Sequence, residues 1–215
     1  MQDAILCSDP KILEFSFDDE HITMNQKKYI SKVLSRFDMN ESYPKPIPCD
    51  NNVNDLTNED SKFLDEEGHK LYQQIVGCLI YLMICTRPDI AYTVNKLSQH
   101  MTKPQKIHLN MAKNAMRYVK GSIDVNLKYS KCESLSITGF SDSDWGSNYD
   151  RKSISGYCFS LNESGAMISW RSKKQSIIAL SSCEAEYVSI TFAVQEAKFL
   201  CQVLSDMIGS NAVAD

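Results

Sequence analysis

The stretch Leu135-Ser136-Ile137-Thr138-Gly139-Phe140-Ser141-Asp142-Ser143-Asp144-Trp145 decides how the second half of the chain is read. Leu135, Ile137 and Gly139 alternate with Ser136, Thr138 and Phe140, the period of a strand. The alternation ends in a polar run that carries two acids. Further on, Tyr157, Phe159 and Leu161 alternate with Cys158 and Ser160, and Ile168 and Trp170 alternate with Ser169 and Arg171. Three such strands joined by polar turns predict an antiparallel meander. Ser181-Ser182-Cys183-Glu184 then matches a capping box, with Ser181 as the cap and Glu184 reaching back. The helix it opens is expected from about Cys183 to Met207, ahead of Gly209.

Upstream the rhythm is different. All six prolines lie in the first half, and six of the eight glycines lie at 121 or later, which suggests two units meeting near residues 121–134. Ile12 to Phe17 is strand-like, Asp18-Asp19-Glu20 turn-like, and Ile22 to Met24 returns. Gln26 to Phe37 carries Tyr29, Ile30, Val33, Leu34 and Phe37 at helical spacing. Pro44, Pro46 and Pro48 stop any helix and favour an extended strap. Residues 50–67 hold seven acids and one lysine and read as a solvated loop. Residues 71–84 are apolar and helical. Thr86-Arg87-Pro88-Asp89 reads as the start of a second helix, to about Met101, because proline suits a first turn and an acid suits the dipole there. A third helix is expected over Ile107 to Lys120, with Leu109, Ala112, Met116 and Val119 as its apolar stripe and Gly121 as its stop.

Composition narrows the function. The chain has 215 residues, 43% apolar and 23% charged, with a net charge of −4, so a uniformly basic nucleic-acid coat is excluded. It contains no run of about 18 apolar residues, and Met1 to Asp9 lacks the basic head and apolar core of a signal peptide. A secreted or membrane-spanning protein is therefore not expected; the cytoplasm is the default, with the nucleus as the alternative. The eight cysteines form no CxxC pair, which argues against a zinc ribbon and for buried free thiols in a reducing compartment. One strongly basic stretch, residues 87–128, has eight Lys and Arg against two Asp. It is either a solvated helix face or a phosphate-contacting surface.

No GxSxG elbow, Walker loop or GxGxxG is present, and the four histidines show no ligand spacing. The carboxylates of the second unit remain. Asp142 and Asp144 sit at the end of a strand, and Glu184 and Glu186 in the first turn of a helix. Such acids can meet at a sheet edge and hold Mg²⁺. Strand-end Asp is also a common turn former, and helix-start Glu a common dipole partner.

At these residues the chain resembles the C-terminal part of the Pol polyprotein of copia-type LTR retrotransposons. The matching stretches include Gln26-Lys27-Lys28-Tyr29-Ile30, Gly77-Cys78-Leu79-Ile80-Tyr81-Leu82, Thr86-Arg87-Pro88-Asp89-Ile90 and Arg117-Tyr118-Val119-Lys120-Gly121. Ser141-Asp142-Ser143-Asp144-Trp145-Gly146, Asp150 to Tyr157, Ile168 to Gln175 and Ser181 to Tyr187 follow in the family's order. The resemblance implies an α+β chain: a helical connection region, then a partial RNase H-like fold of three antiparallel strands and a long helix, with later elements missing. It divides the chain into 1–49, the end of the reverse transcriptase; 50–130, the acidic loop and basic helical connection; and 131–215, the RNase H-like part.

The resemblance also implies Mg²⁺- or Mn²⁺-dependent hydrolysis of the RNA strand of an RNA–DNA hybrid, with no small-molecule substrate, no membrane, and the rest of Pol as a possible partner. Asp142 and Glu186 are the catalytic and metal-binding carboxylates it assigns, with Asp144 and Glu184 as the alternatives. Lys113, Arg117 and Lys120 are expected phosphate contacts on charge alone. The family's Tyr-x-Asp-Asp polymerase box is not matched: Ser16-Phe17-Asp18-Asp19 has its aromatic one position too close. The family's third RNase H carboxylate lies beyond the long helix and is not matched either. The expected activity of this chain alone is therefore low or absent. The rival expectation is a non-catalytic remnant or a reused module that binds nucleic acid or protein.

Overall fold

A computed structural model describes residues 13–49, 61–131, 136–162 and 165–208. The chain divides into two units, residues 1–16 with 24–126 and residues 17–23 with 127–215.

The hairpin strands are β1 (Glu14–Phe17) and β2 (His21–Asn25), and α1 spans Lys27–Arg36. Asp18 makes the turn: its carboxylate accepts the N–H groups of Glu20 (2.9 Å) and His21 (2.6 Å). The helical unit continues with α2 (Glu66–Cys85), a 3₁₀ turn (Pro88–Ile90), α3 (Ala91–Ser98) and α4 (Lys106–Gly121). Helix α2 starts earlier than its apolar run because Asp65 caps it, accepting the N–H of Gly68 at 2.8 Å. The acids Glu66 and Glu67 thus belong to a first turn, where the helix dipole favours them, and not to the loop. The core is built from Ile30, Val33 and Leu34 of α1, Ile75, Val76, Leu79 and Leu82 of α2, Val94 and Leu97 of α3, and Ala112, Ala115, Met116 and Val119 of α4. The helix stop also differs in its reason. Gly121 is still helical and Ser122 is the cap; a Cβ at Gly121 would lie 2.9 Å from the Pro44 side chain. Close packing, not a left-handed turn, demands glycine there.

Arg87 is the unexpected member of this core, with 0% exposure. Its guanidinium donates to Asp89 (2.9, 3.2 and 2.7 Å), to the Ser122 carbonyl (3.1 Å) and to the Ser122 hydroxyl (2.5 Å). The Tyr118 hydroxyl donates to Asp89 at 2.9 Å. Asp89 is thus a counter-ion more than a dipole partner. Burial alone would raise its carboxyl, but the bonds and charge of Arg87, with Tyr118, carry it below the usual value.

β3 (Leu127–Ser130) joins a small sheet of order β1-β2-β3. Leu127 and Tyr129 alternate with Lys128 and Ser130, but four residues are the shortest run that can show a strand period. The main sheet is β4 (Ile137–Asp144), β5 (Ile154–Leu161) and β6 (Met167–Lys174), in that order and antiparallel. This is the expected meander, with Leu135 outside the described residues. Gly139 pairs with Phe159, whose ring would lie 2.2 Å from a Cβ at position 139. Helix α5 (Ser182–Ile208) follows. The α+β class is the one expected, as is the order of three antiparallel strands and a long helix.

None of the six described cysteines forms a disulfide, and none is fully buried: Cys49, Cys78, Cys85 and Cys158 are half-buried, and Cys183 and Cys201 exposed. No described helix is long and apolar enough to cross a membrane.

Candidate carboxylate site at the end of the main sheet

Helix α5 is fixed to the sheet by polar groups at its first turns. Ser181 Oγ accepts the N–H of Glu184 at 3.1 Å, and Glu184 accepts the N–H of Leu180 at 2.6 Å. This is the predicted capping box, displaced by one residue on its return bond. Gln175, 3% exposed, donates from Nε2 to the Ser155 hydroxyl and to the Ala185 carbonyl, both at 2.9 Å. Ser189 is buried and donates to the carbonyls of Asp142 (2.7 Å) and Gly156 (3.2 Å). The helix turn that carries Glu186 is therefore held at the end of β4, with Ser189 one turn beyond it touching the backbone of Asp142.

The four candidate acids then separate by what they do. Asp144 accepts the N–H of Ile154 at 2.5 Å and the hydroxyl of Ser147, so it closes the β4–β5 connection. Glu184 is the capping acid. Asp142 and Glu186 are exposed, and neither carboxylate has a protein partner among the described residues. Spacing could not separate these pairs, because the choice depends on which backbone N–H groups the fold leaves beside each acid.

Two exposed, unengaged carboxylates are hard oxygen donors and suit a Mg²⁺ ion that keeps most of its water. Among the described residues no group of three His, Cys, Asp or Glu is close enough to form a metal cage.

Two of the three expected phosphate contacts make bonds within the protein. Arg117 donates from Nε to the Tyr43 carbonyl at 2.6 Å, and Lys120 donates to the carbonyls of Ser42 (2.7 Å) and Asn40. Both hold the segment before the prolines against α4, which is a structural use of the charge that helical-face reasoning missed. Lys113 is exposed.

Comparison with known proteins identifies the lineage. No family model and no solved structure matches the chain. It is 35% identical over 188 residues to the retrovirus-related Pol polyprotein from transposon TNT 1-94 of Nicotiana tabacum, covering 86% of this chain and 14% of that polyprotein. An uncharacterized mitochondrial protein of Arabidopsis thaliana is 34% identical over 174 residues, 80% of this chain and 70% of its own length. The chain belongs to the Pol polyproteins of copia-type retrotransposons. Within this Pol family it spans a small part of the full polyprotein. It also covers most of some shorter relatives: a secreted RxLR effector protein of Plasmopara viticola is 42% identical over 130 residues, 60% of this chain and 90% of its own length.

Proposed function

We propose that this part of Pol serves Mg²⁺-dependent hydrolysis of the RNA strand in RNA–DNA hybrids. The observation that carries the reading is the division of labour among the acids. Asp144 and Glu184 are consumed by the fold, while Asp142 and Glu186 are left exposed at the same end of the sheet. A divalent ion held there would activate a water and stabilise the leaving oxygen of the phosphodiester. The chain's own contribution is positional. Ser189 and Gln175 fix the α5 turn on the sheet, and Asp144 fixes the strand end, so the backbone that carries the two carboxylates is held in place. A hybrid would be read by its shape and 2′-hydroxyls.

The test is cleavage of an end-labelled RNA–DNA hybrid by the purified chain in Mg²⁺ or Mn²⁺. Loss of cleavage in both Asp142→Asn and Glu186→Gln, with Glu184→Gln retaining it, supports the reading. Cleavage indifferent to both substitutions, or a folded chain that cleaves nothing, counts against it.

A second reading drops the chemistry and keeps the surface: a reused binding module. The observation in its favour is that the same stretch makes up most of the length of much shorter relatives.

A further inference from the structure

We propose that the β4–β5 loop, residues 145–153, is a stacking platform for unpaired nucleotides. Its ligand is the single-stranded extension of a nucleic-acid duplex that lies at the carboxylate end of the sheet. The inference rests on the reading of Asp142 and Glu186 as a nucleic-acid site and names a further contact beside it.

The loop is tied down from within. Its first anchor is Asp144, which binds Ile154 N–H and the Ser147 hydroxyl. Gly146 N–H donates to Ser153 Oγ at 3.1 Å, and Arg151 N–H to the Asn148 carbonyl at 2.8 Å. Asn148 Nδ2 donates to the Lys152 carbonyl at 2.5 Å, and Lys174 pairs with Asp150 at 2.9 Å. A loop so tied presents its remaining groups without an ordering cost on binding.

Those groups are two rings and a guanidinium. Tyr149 is 84% exposed and Trp145 49% exposed. The Trp145 indole is oriented by its N–H, which donates to the Ala179 carbonyl at 3.1 Å. Arg151 lies over that ring, 6.0 Å from its centroid. Arg151 also has a φ of 61°, the left-handed region that disfavours any residue with a Cβ. Glycine would sit there at less cost, yet the position carries a side chain that reaches the indole.

Exposed rings beside a cation select a ligand with open π-faces and negative charge. Bases inside a duplex are stacked on each other and offer neither ring a face, whereas unpaired bases do. Trp145 follows Asp142 by three residues, so the platform lies next to the candidate carboxylate in the chain.

The experiment compares fluorescence anisotropy of two labelled probes with the purified chain in EDTA, which prevents cleavage. One probe is a blunt RNA–DNA hybrid; the other is the same hybrid with a single-stranded overhang. The overhang should bind more tightly, and Tyr149→Ala should remove about 5- to 150-fold of that affinity, the effect of losing one stacked base. Arg151→Gly should weaken overhang binding while leaving the melting temperature equal or higher, because glycine relaxes the backbone. That combination separates a binding role from a structural one.

Equal binding of both probes by the wild type, or an overhang preference that survives Tyr149→Ala, overturns the platform. A folded chain that binds neither probe overturns it as well and leaves the two rings to a protein partner. The hydrolysis reading fails separately. An overhang preference without any Glu186-dependent cleavage keeps the platform and sinks the hydrolysis; Glu186-dependent cleavage without a preference does the reverse.

Discussion

Replacing Asp89 by asparagine should uncouple Arg87, a buried cation of the helical core, from its counter-ion. The side chains of Arg87 and Asp89 are 1% and 30% exposed and 2.7 Å apart. Asparagine keeps the shape and one acceptor oxygen, so the Ser122 bonds and part of the Asp89 geometry survive, but the guanidinium is left without a balancing charge. Breaking a buried pair from one side costs roughly 3–5 kcal/mol. Asp89 is about a third exposed, so water screens part of the loss, and the expected cost is about 2–3 kcal/mol. For a chain of this size that lowers the melting temperature by roughly 4–12 °C.

The assay is urea unfolding followed by circular dichroism at the helical band. Both tryptophans, Trp145 and Trp170, lie in the second unit, so their fluorescence reports that unit and not the one carrying Arg87. A double variant, Arg87→Met with Asp89→Asn, removes the stranded charge and should recover part of the loss. Because the folded carboxyl of Asp89 titrates below its unfolded value, its contribution is complete above about pH 4. It should vanish as pH falls through the folded value, so the gap between wild type and Asp89→Asn closes in acid. A cost under about 0.5 kcal/mol, or a gap that does not narrow in acid, would refute the argument.

Other substitutions test the second unit. Gly139→Ala should destabilise by about 1–3 kcal/mol in chemical denaturation, since its methyl meets the Phe159 ring; a neutral result would mean that the ring moves freely. Gln175→Leu strands the Ser155 hydroxyl and the Ala185 carbonyl and should cost roughly 1–3 kcal/mol on tryptophan-monitored unfolding. Glu184→Ala should cost about 1 kcal/mol by loss of the cap, whereas Glu186→Gln should leave stability unchanged within about 0.5 kcal/mol. A stability loss in Glu186→Gln equal to that in Glu184→Ala would show that Glu186 is structural. Lys120→Ala should make the segment around residues 40–45 more open to hydrogen exchange, because the carbonyls of Asn40 and Ser42 lose their donor.

Much of this was legible in the sequence because it is local and periodic. The meander of β4, β5 and β6 follows from alternation over several residues, and the entry into α5 follows from Ser181 and Glu184, whose cap bonds span only a few residues. The lineage follows from motif stretches taken together in order. The strand β3 was passed over although Leu127 and Tyr129 alternate with Lys128 and Ser130, because four residues are the shortest run that shows the period and its partner strand lies about a hundred residues earlier in the chain.

The sequence by itself determined the α+β class, the order of strands and helix, and the short list of acids at Asp142, Asp144, Glu184 and Glu186. Tertiary structure gave them different neighbours. It set the Ile154 and Leu180 N–H groups beside Asp144 and Glu184 and left Asp142 and Glu186 to solvent. It also turned Arg117 and Lys120 toward carbonyls of a segment more than seventy residues away, and it buried Arg87 against Asp89 and Ser122. The physical reason is the same in each case. A charge pattern shows that a group can bind, but its nearest unsatisfied donor or acceptor is supplied by a distant part of the chain, and only the folded backbone brings the two within about 3 Å.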